Sequence, residues 1–282
     1  MAEISATLVV KLREMTSAGM MDCKRALVET NGDLAAAVDL LRKRGVATAA
    51  KKAQREAREG AIAQCILPGA RVGVLLEVNC ESDFVAKNEM FRAFCDQAVR
   101  ALAENPAASL ETLRTDAIAR IRENIKIARH QRFEVSGNGL VAAYIHTGAK
   151  VGVLVEVGAG NEATTTRDDF RQLVKDITLQ IAAASPVAVS RDQMDPAIVA
   201  KEKEIVAASD LLKNKPPQAL AKIIEGKLEK FFQTACLLDQ GFVKRNSEIT
   251  VGEHLATVAK QLDDQITIRR FVRFQVGEAF AS

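Results

Sequence analysis

Cysteine and histidine are the side chains best placed to do chemistry near neutral pH, and this chain has few of them: Cys23, Cys65, Cys80, Cys95 and Cys236, with His130, His146 and His254. An odd number of cysteines without a CxxC pair disfavours both a disulfide framework and a zinc site. Cys80 and His146 lie near corresponding segments of an internal repeat, so a thiol–imidazole pair can be drawn between them. Neither is flanked by a nucleophile motif, however, and a lone cysteine more often packs as a small apolar group. The sequence contains no GxxxxGK[ST] phosphate loop, no GxSxG elbow and no HExxH pair, which removes the common routes to nucleotide, acyl and metal chemistry. What stands out instead is a polar stretch, NCESDFVAKNEMF at 79–91, with Phe84-Val85 at its centre and Asp83 beside them. An aromatic residue in a polar turn either folds back onto its own core or is offered to something else, and the residues alone leave both open.

The elements that must hold this stretch are legible from an internal repeat. Residues 60–78, GAIAQCILPGARVGVLLEV, align without a gap to 139–157, GLVAAYIHTGAKVGVLVEV, with eleven of nineteen positions identical. The same offset carries Phe91-Arg92 onto Phe170-Arg171. Each copy reads as a strand, a tight turn, a buried strand, a loop and an amphipathic helix, with Phe91, Phe94, Cys95, Val99 and Leu102 on one helix and Phe170, Leu173, Val174, Ile177 and Ile181 on the other. The copies differ in the loop after the second strand, NCESDFVAKNEM against GAGNEATTTRDD, so one of them alone presents a large aromatic residue.

Ahead of the repeat, Leu8, Val9 and Leu12 share a helical face, a second helix covers Met20 to Glu29, and Asp33 caps a third whose pattern predicts an end at Gly45. Met15, Met20 and Met21 surround the intervening turn, either as bundle filling or as a soft exposed surface. The following ATAAKKAQREAREG has no apolar stripe and reads as a helical or fraying linker. Beyond the second copy, Ile198, Ile205, Ser209 and Leu212, then Leu220, Ile224, Leu228 and Phe231, flank Pro216-Pro217 and predict an antiparallel helical hairpin. A helix over Val251 to Leu262 and a strand through Ile266, Ile268, Val272, Phe274 and Val276 close the chain, with Arg270 at an edge or in an ion pair.

The bulk composition is that of an ordinary globular protein, 48% hydrophobic and 27% charged, with a formal charge of only +3. Basic clusters at 42–58 and 269–273 permit an alternative reading as a ribosome- or RNA-associated protein, against which solvated basic faces are the plainer account. Glu3, Lys11 and Arg13 leave no apolar run for a leader or membrane span in the first fifteen residues, which points to the cytoplasm.

Taken in order, LREMTSAGMMDCKRAL with TNGDLAAAV, EVNCESDFVAKNEMF, AYIHTGAKVGVLVEV and RRFVRFQVGE resemble the bacterial elongation factor Ts family, guanine-nucleotide exchange factors for elongation factor Tu. The resemblance spans almost the whole chain. It implies an α+β fold with a ubiquitin-associated-like three-helix module at 1–50, a linker at 51–59, a first core subdomain at 60–138 and a second beginning at 139–195. A coiled-coil hairpin at 196–235 is inserted before the second subdomain resumes at 236–282. It further implies that Asp83, Phe84 and Val85 enter the partner near its nucleotide and magnesium, that Arg13, Met20 and Met21 grip a second place, and that His146 touches another domain. No cofactor, metal or catalytic residue is implied, and no specific nucleic acid or membrane. Ser82 stands where members of the family commonly carry threonine, which keeps the hydroxyl.

Overall fold

The computed structural model describes residues 4–16, 18–208 and 217–278, with backbone alone for 217–220. Its first three helices, α1 (Ala6–Thr16), α2 (Met20–Glu29) and α3 (Leu34–Lys52), pack through Val9, Leu12, Cys23, Ala26, Leu27 and Ala37. Asp33 caps α3 by accepting from the Ala36 N–H at 3.0 Å. The glycine expected to stop α3 does not. Gly45 is buried inside the helix, and a Cβ there would lie 3.5 Å from Thr115 Cγ2. Gly45 is therefore a contact residue, and the stretch read as linker continues as helix to Lys52 with Ala49 packed in the core of the body. Met15, Met20 and Met21 are exposed, so the bundle is filled without them.

The body holds two three-stranded antiparallel sheets. The first comprises β1 (Glu59–Ile66), β2 (Val72–Cys80) and β3 (Lys126–Glu134), and the second β4 (Gly139–Ile145), β5 (Val151–Ala159) and β6 (Ile266–Gln275), each with its middle strand central. Between β2 and β3 the chain forms α4 (Asp83–Lys87), α5 (Glu89–Glu104) and α6 (Glu111–Ile121), and α5 buries Phe91, Phe94, Cys95, Val99 and Leu102 against the sheet. On the second sheet α7 (Asp168–Ala184) buries Phe170, Leu173, Val174, Ile177 and Ile181, joined by α10 (Val251–Leu262). The amphipathic spacing predicted these faces, and burying each large side chain is worth about 1.5–3 kcal/mol.

The two sheets meet face to face through Ile62, Leu75, Phe133, Val141, Leu154 and Phe274. Their contact is reciprocal. Ile62 N donates to Ala149 O at 2.7 Å, and Val141 N, its equivalent in the second copy, donates to Ala70 O at 2.8 Å. Gly73 and Gly152 sit opposite these residues, and a Cβ on Gly152 would come within 2.5 Å of Ile62 Cγ2. Glycine is required at both places because the opposing β-branched side chain already fills the space. The outer strands also correspond, at an offset of 141: Arg129 lies 4.2 Å from the Phe274 ring centroid and Arg270 lies 4.4 Å from that of Phe133. Each arginine pairs at 2.7 Å with a buried glutamate at the bulge of its own sheet, Glu77 and Glu156 respectively. Arg270 thus resolves as an ion pair.

Between the second copy and its last strand stand α8 (Pro196–Ala207) and α9 (Pro217–Ala235). Val199 and Val206 supply the packed face of α8, while Ile198 and Ile205 remain exposed, a shift of one residue from the sequence pattern. On α9, Ile224, Leu228 and Phe231 are half-buried as their spacing requires. Ser209 and Leu212 lie outside the described residues, as does the side chain of Leu220. Arg191 fixes the base of this hairpin, donating to Glu229 on α9 at 2.6 Å and to Asp239 at 3.0 Å while stacking 4.9 Å from the centroid of Phe232.

Candidate functional site: an exposed phenylalanine on a pinned short helix

Phe84 is 81% exposed, the most open of the large apolar side chains among the described residues. The ring packs into neither core, so the folding-back alternative is excluded. Helix α4 presents it. Its five residues are too few to hold a helix unaided, and the helix is anchored at both ends. Ala86 is buried in the first core and Val85 packs beside it, leaving Asp83 and Phe84 on the outer side. Ser82 is the N-cap, accepting from Val85 N at 3.4 Å. Ser82 is itself held by Glu123, which accepts from the Ser82 hydroxyl at 2.6 Å and from the Ser82 and Glu81 N–H groups at 3.0 Å each. Glu81 in turn accepts from Asn124 N at 2.6 Å, and Arg92 Nε closes the far side by donating to Ala86 O at 2.9 Å.

Asp83 pairs with Lys87 one turn on, at 2.7 Å, and that hydrogen bond holds its carboxyl below the usual range. The site thus offers one bare aromatic ring beside a carboxylate that stays ionised, on a backbone that is already ordered. Such a group can wedge between elements of a partner without first paying to organise itself.

The second copy shows what the same scaffold looks like without the wedge. By the offset of 79, Phe84 corresponds to Ala163, within a short 3₁₀ turn at Glu162–Thr166. The supports persist. Asp264 accepts from Asn161 N at 3.0 Å, standing at the place of Glu123, and Arg171 reaches Thr165 O at 3.4 Å as Arg92 reaches Ala86 O. Local sequence pattern does not reveal Glu123, which acts from a distance of 41 residues. Its signal was the correspondence of Glu123 to Asp264 at the offset shared by the outer strands.

The thiol–imidazole pair does not form. Cys80 is fully buried, its Sγ donates to Ser82 O at 3.2 Å, and burial pushes the thiol up to about 12. His146 is exposed in the β4–β5 turn, where its Nδ1 hydrogen-bonds with the Tyr144 hydroxyl at 3.0 Å. It stands on the rim of a 440 Å³ cavity walled by Tyr144, Leu179, Phe242 and Val243. Arg13 is exposed near the end of α1, and Met20 and Met21 are exposed at the start of α2. The sequence candidates therefore fall on three separate elements: α4, the α1–α2 corner and the β4–β5 turn. All of them face outward except Val85, which packs against the first core, and Asp83 is half-exposed beside the ring.

Of the basic cluster at 269–273, Arg269 and Arg270 are both bound to Glu156, and Arg273 pairs with Glu278 at 3.5 Å. Among the described residues no group of histidine, cysteine and acidic side chains could hold a metal ion, and no helix is long and apolar enough to cross a membrane.

Residues 81–278 match the family model described as elongation factor TS, a span that starts two residues before α4 and takes in both sheets' last strands. Curated proteins named elongation factor Ts match over nearly the whole chain. That of Symbiobacterium thermophilum is 43% identical, with 99% of this chain and 93% of the relative covered. That of Lawsonia intracellularis is 39% identical over 98% and 99%, and that of Nitratidesulfovibrio vulgaris 40% over 99% and 98%. The chain belongs to the elongation factor Ts family. It is accordingly a translation elongation factor with an α+β fold, and the match to elongation factor Ts relatives takes in its helical first module as well as its duplicated body.

Proposed function

We propose that this chain binds elongation factor Tu carrying GDP and drives the nucleotide out by seating Phe84, with Asp83 alongside, near the nucleotide and magnesium of the partner. It acts as an exchange factor and transforms no substrate chemically. The observation that carries the reading is the 81% exposure of Phe84 on a helix whose cap is held by Glu123. A free protein gains nothing from ordering a bare ring in water, whereas a partner pocket gains about 1.5–3 kcal/mol from burying it.

That gain cannot suffice alone. Speeding release about a thousandfold takes about 4 kcal/mol. Arg13, Met20 and Met21 supply a second grip on the nucleotide-binding domain, and His146 meets another domain of the partner. The exposed placement of all four supports those roles. Linkage then sets the cycle: a protein that weakens nucleotide binding is itself weakened by nucleotide, so GTP rebinding expels it.

The test is stopped-flow release of a fluorescent GDP from elongation factor Tu with and without the purified chain. Saturable acceleration is the expected result. Unaccelerated release, or saturable GDP binding by this chain in the absence of elongation factor Tu, overturns the reading.

A further inference from the structure

The seam between the helical module and the body encloses an open trough of about 1000 Å³ that the exchange reading does not use. One wall is α3, which contributes Arg42, Arg44, Lys51 and Lys52, and the other includes Arg120 and Arg122 at the end of α6. Arg25 adds a further cation, against the carboxylates of Asp22 and Asp116. Several of these charges are already paired: Arg44 with Glu29, Arg25 and Arg122 with Asp22, and Lys52 with the Arg122 carbonyl. Arg42 and Lys51 have no carboxylate partner among the described residues, and both are exposed. Among the described residues Arg120 makes a single 3.5 Å contact, to Thr16 O.

We propose that this trough binds an RNA strand through its phosphates, independently of base sequence. Arg42 and Lys51 stand nine residues apart on α3, about 13 Å along its axis and about half a turn apart around it, so they border the trough on opposite sides of the buried Gly45 face and a phosphate backbone lying along that face passes between two cations. Among the described residues no aromatic side chain lines the trough, so they offer neither the stacking platform of base readers nor the aromatic anchor that usually centres a protein interface. Cationic side chains interspersed with small residues such as Ala47, Ala119 and Gly19 are suited to a charged backbone passing along them. The arginines at 269–273 take no part, because Glu156 and Glu278 occupy them.

Fluorescence anisotropy of a labelled poly(U) RNA of about twelve nucleotides, titrated with the full chain across about 50–200 mM KCl, tests the proposal. Binding is expected to be saturable, with log K falling linearly with log salt by about 0.7 per phosphate contacted. Arg42→Ala/Lys51→Ala is expected to weaken it about tenfold or more and to make that slope shallower by about 1.4, the value for two lost contacts. The same variant should keep the wild-type urea midpoint and the wild-type rate of GDP release from elongation factor Tu, which separates this proposal from the exchange reading. Arg245→Ala/Lys260→Ala, which removes equal charge from exposed positions elsewhere, should bind RNA as the wild type does. Three results each overturn the proposal: no binding at the lowest salt, undiminished binding by Arg42→Ala/Lys51→Ala, or displacement by a polyglutamate peptide as effective as by unlabelled RNA. The last would reassign the trough to an acidic protein segment.

Discussion

The hydroxyl of Ser82 donates to the carboxylate of Glu123 across 2.6 Å, tying the cap of the Phe84 helix to the loop that precedes β3. Two backbone N–H groups, of Glu81 and Ser82, converge on the same carboxylate. Glu123→Ala strands all three donors, and leaving such groups unpaired costs about 1–3 kcal/mol. Urea unfolding should register that loss. Stimulated GDP release should slow about tenfold if the ring is set wrongly by the equivalent of about 1.4 kcal/mol, and Glu123→Gln, which retains an acceptor for the hydroxyl, should recover part of it.

Phe84→Ala should behave in the opposite manner. With the ring 81% exposed, its removal should change folding stability by less than ~1 kcal/mol, against the ~3–5 typical of an emptied core site. Stimulated GDP release should nevertheless fall about tenfold or more as about 1.5–3 kcal/mol of partner burial is lost. Thr165→Ala, in the corresponding turn of the second copy, should exchange normally. A Phe84→Ala protein that unfolds several kcal/mol more easily yet exchanges at the full rate would make Phe84 a core residue.

Gly45→Ala should stabilise the protein by about 0.5–1 kcal/mol in urea, since the new methyl meets Thr115 and Ala119 at ordinary contact distances and a helical glycine is relieved. Gly45→Leu should instead wedge α3 off α6 and lower stability. Equal tolerance of alanine and leucine would mean that the module is not docked through this face.

Gly152→Ala tests the contact between the sheets. Its Cβ would lie 2.5 Å from Ile62 Cγ2, and forcing a methyl into a filled core costs about 1–3 kcal/mol. Ile62→Ala, which removes the clashing Cγ2, made together with Gly152→Ala should cost less than the sum of the two single changes in the same urea measurement.

Burial pushes the Cys80 and Cys95 thiols up to about 12. The folded chain then keeps two protons that the unfolded chain releases near pH 9. Folding stability from these groups is complete below about pH 8.5 and is lost as pH rises toward about 12. The urea midpoint should therefore drop between about pH 8.5 and about pH 10.5, by less in a Cys80→Ser/Cys95→Ala double variant. Neither thiol should react with iodoacetamide near neutral pH until the chain is unfolded.

Much of this architecture was legible because two copies of one pattern reinforced each other. The offset of 79 located four strands and the helices α5 and α7 from apolar spacing that a single copy would have left ambiguous. The correspondence of β3 with β6 was hidden, since the hairpin and its flanking segments raise the offset from 79 to 141 residues and only the arginine, phenylalanine and isoleucine positions persist. Phe84 declared itself by its type, an aromatic residue among polar ones. Glu123 did not, because a hydrogen bond between distant residues leaves no periodicity. Gly45 misled for a related reason: glycine ends helices where the backbone turns left-handed, but it also marks close approach of two helices, and sequence alone does not distinguish the two.

The paired bonds from Ile62 to Ala149 and from Val141 to Ala70 have the form of a subunit interface with two-fold symmetry, in which one patch is complementary to itself. A single unit, cut free, would carry both halves of that recognition and would close on a second copy of itself, presenting two phenylalanine wedges on opposite sides. Joining the halves in one polypeptide fixes their stoichiometry and lets each diverge: one keeps the wedge, while the other holds Ala163 at that position and accommodates the hairpin before its last strand. The protein is thereby a heterodimer in its chemistry while remaining a homodimer in its packing.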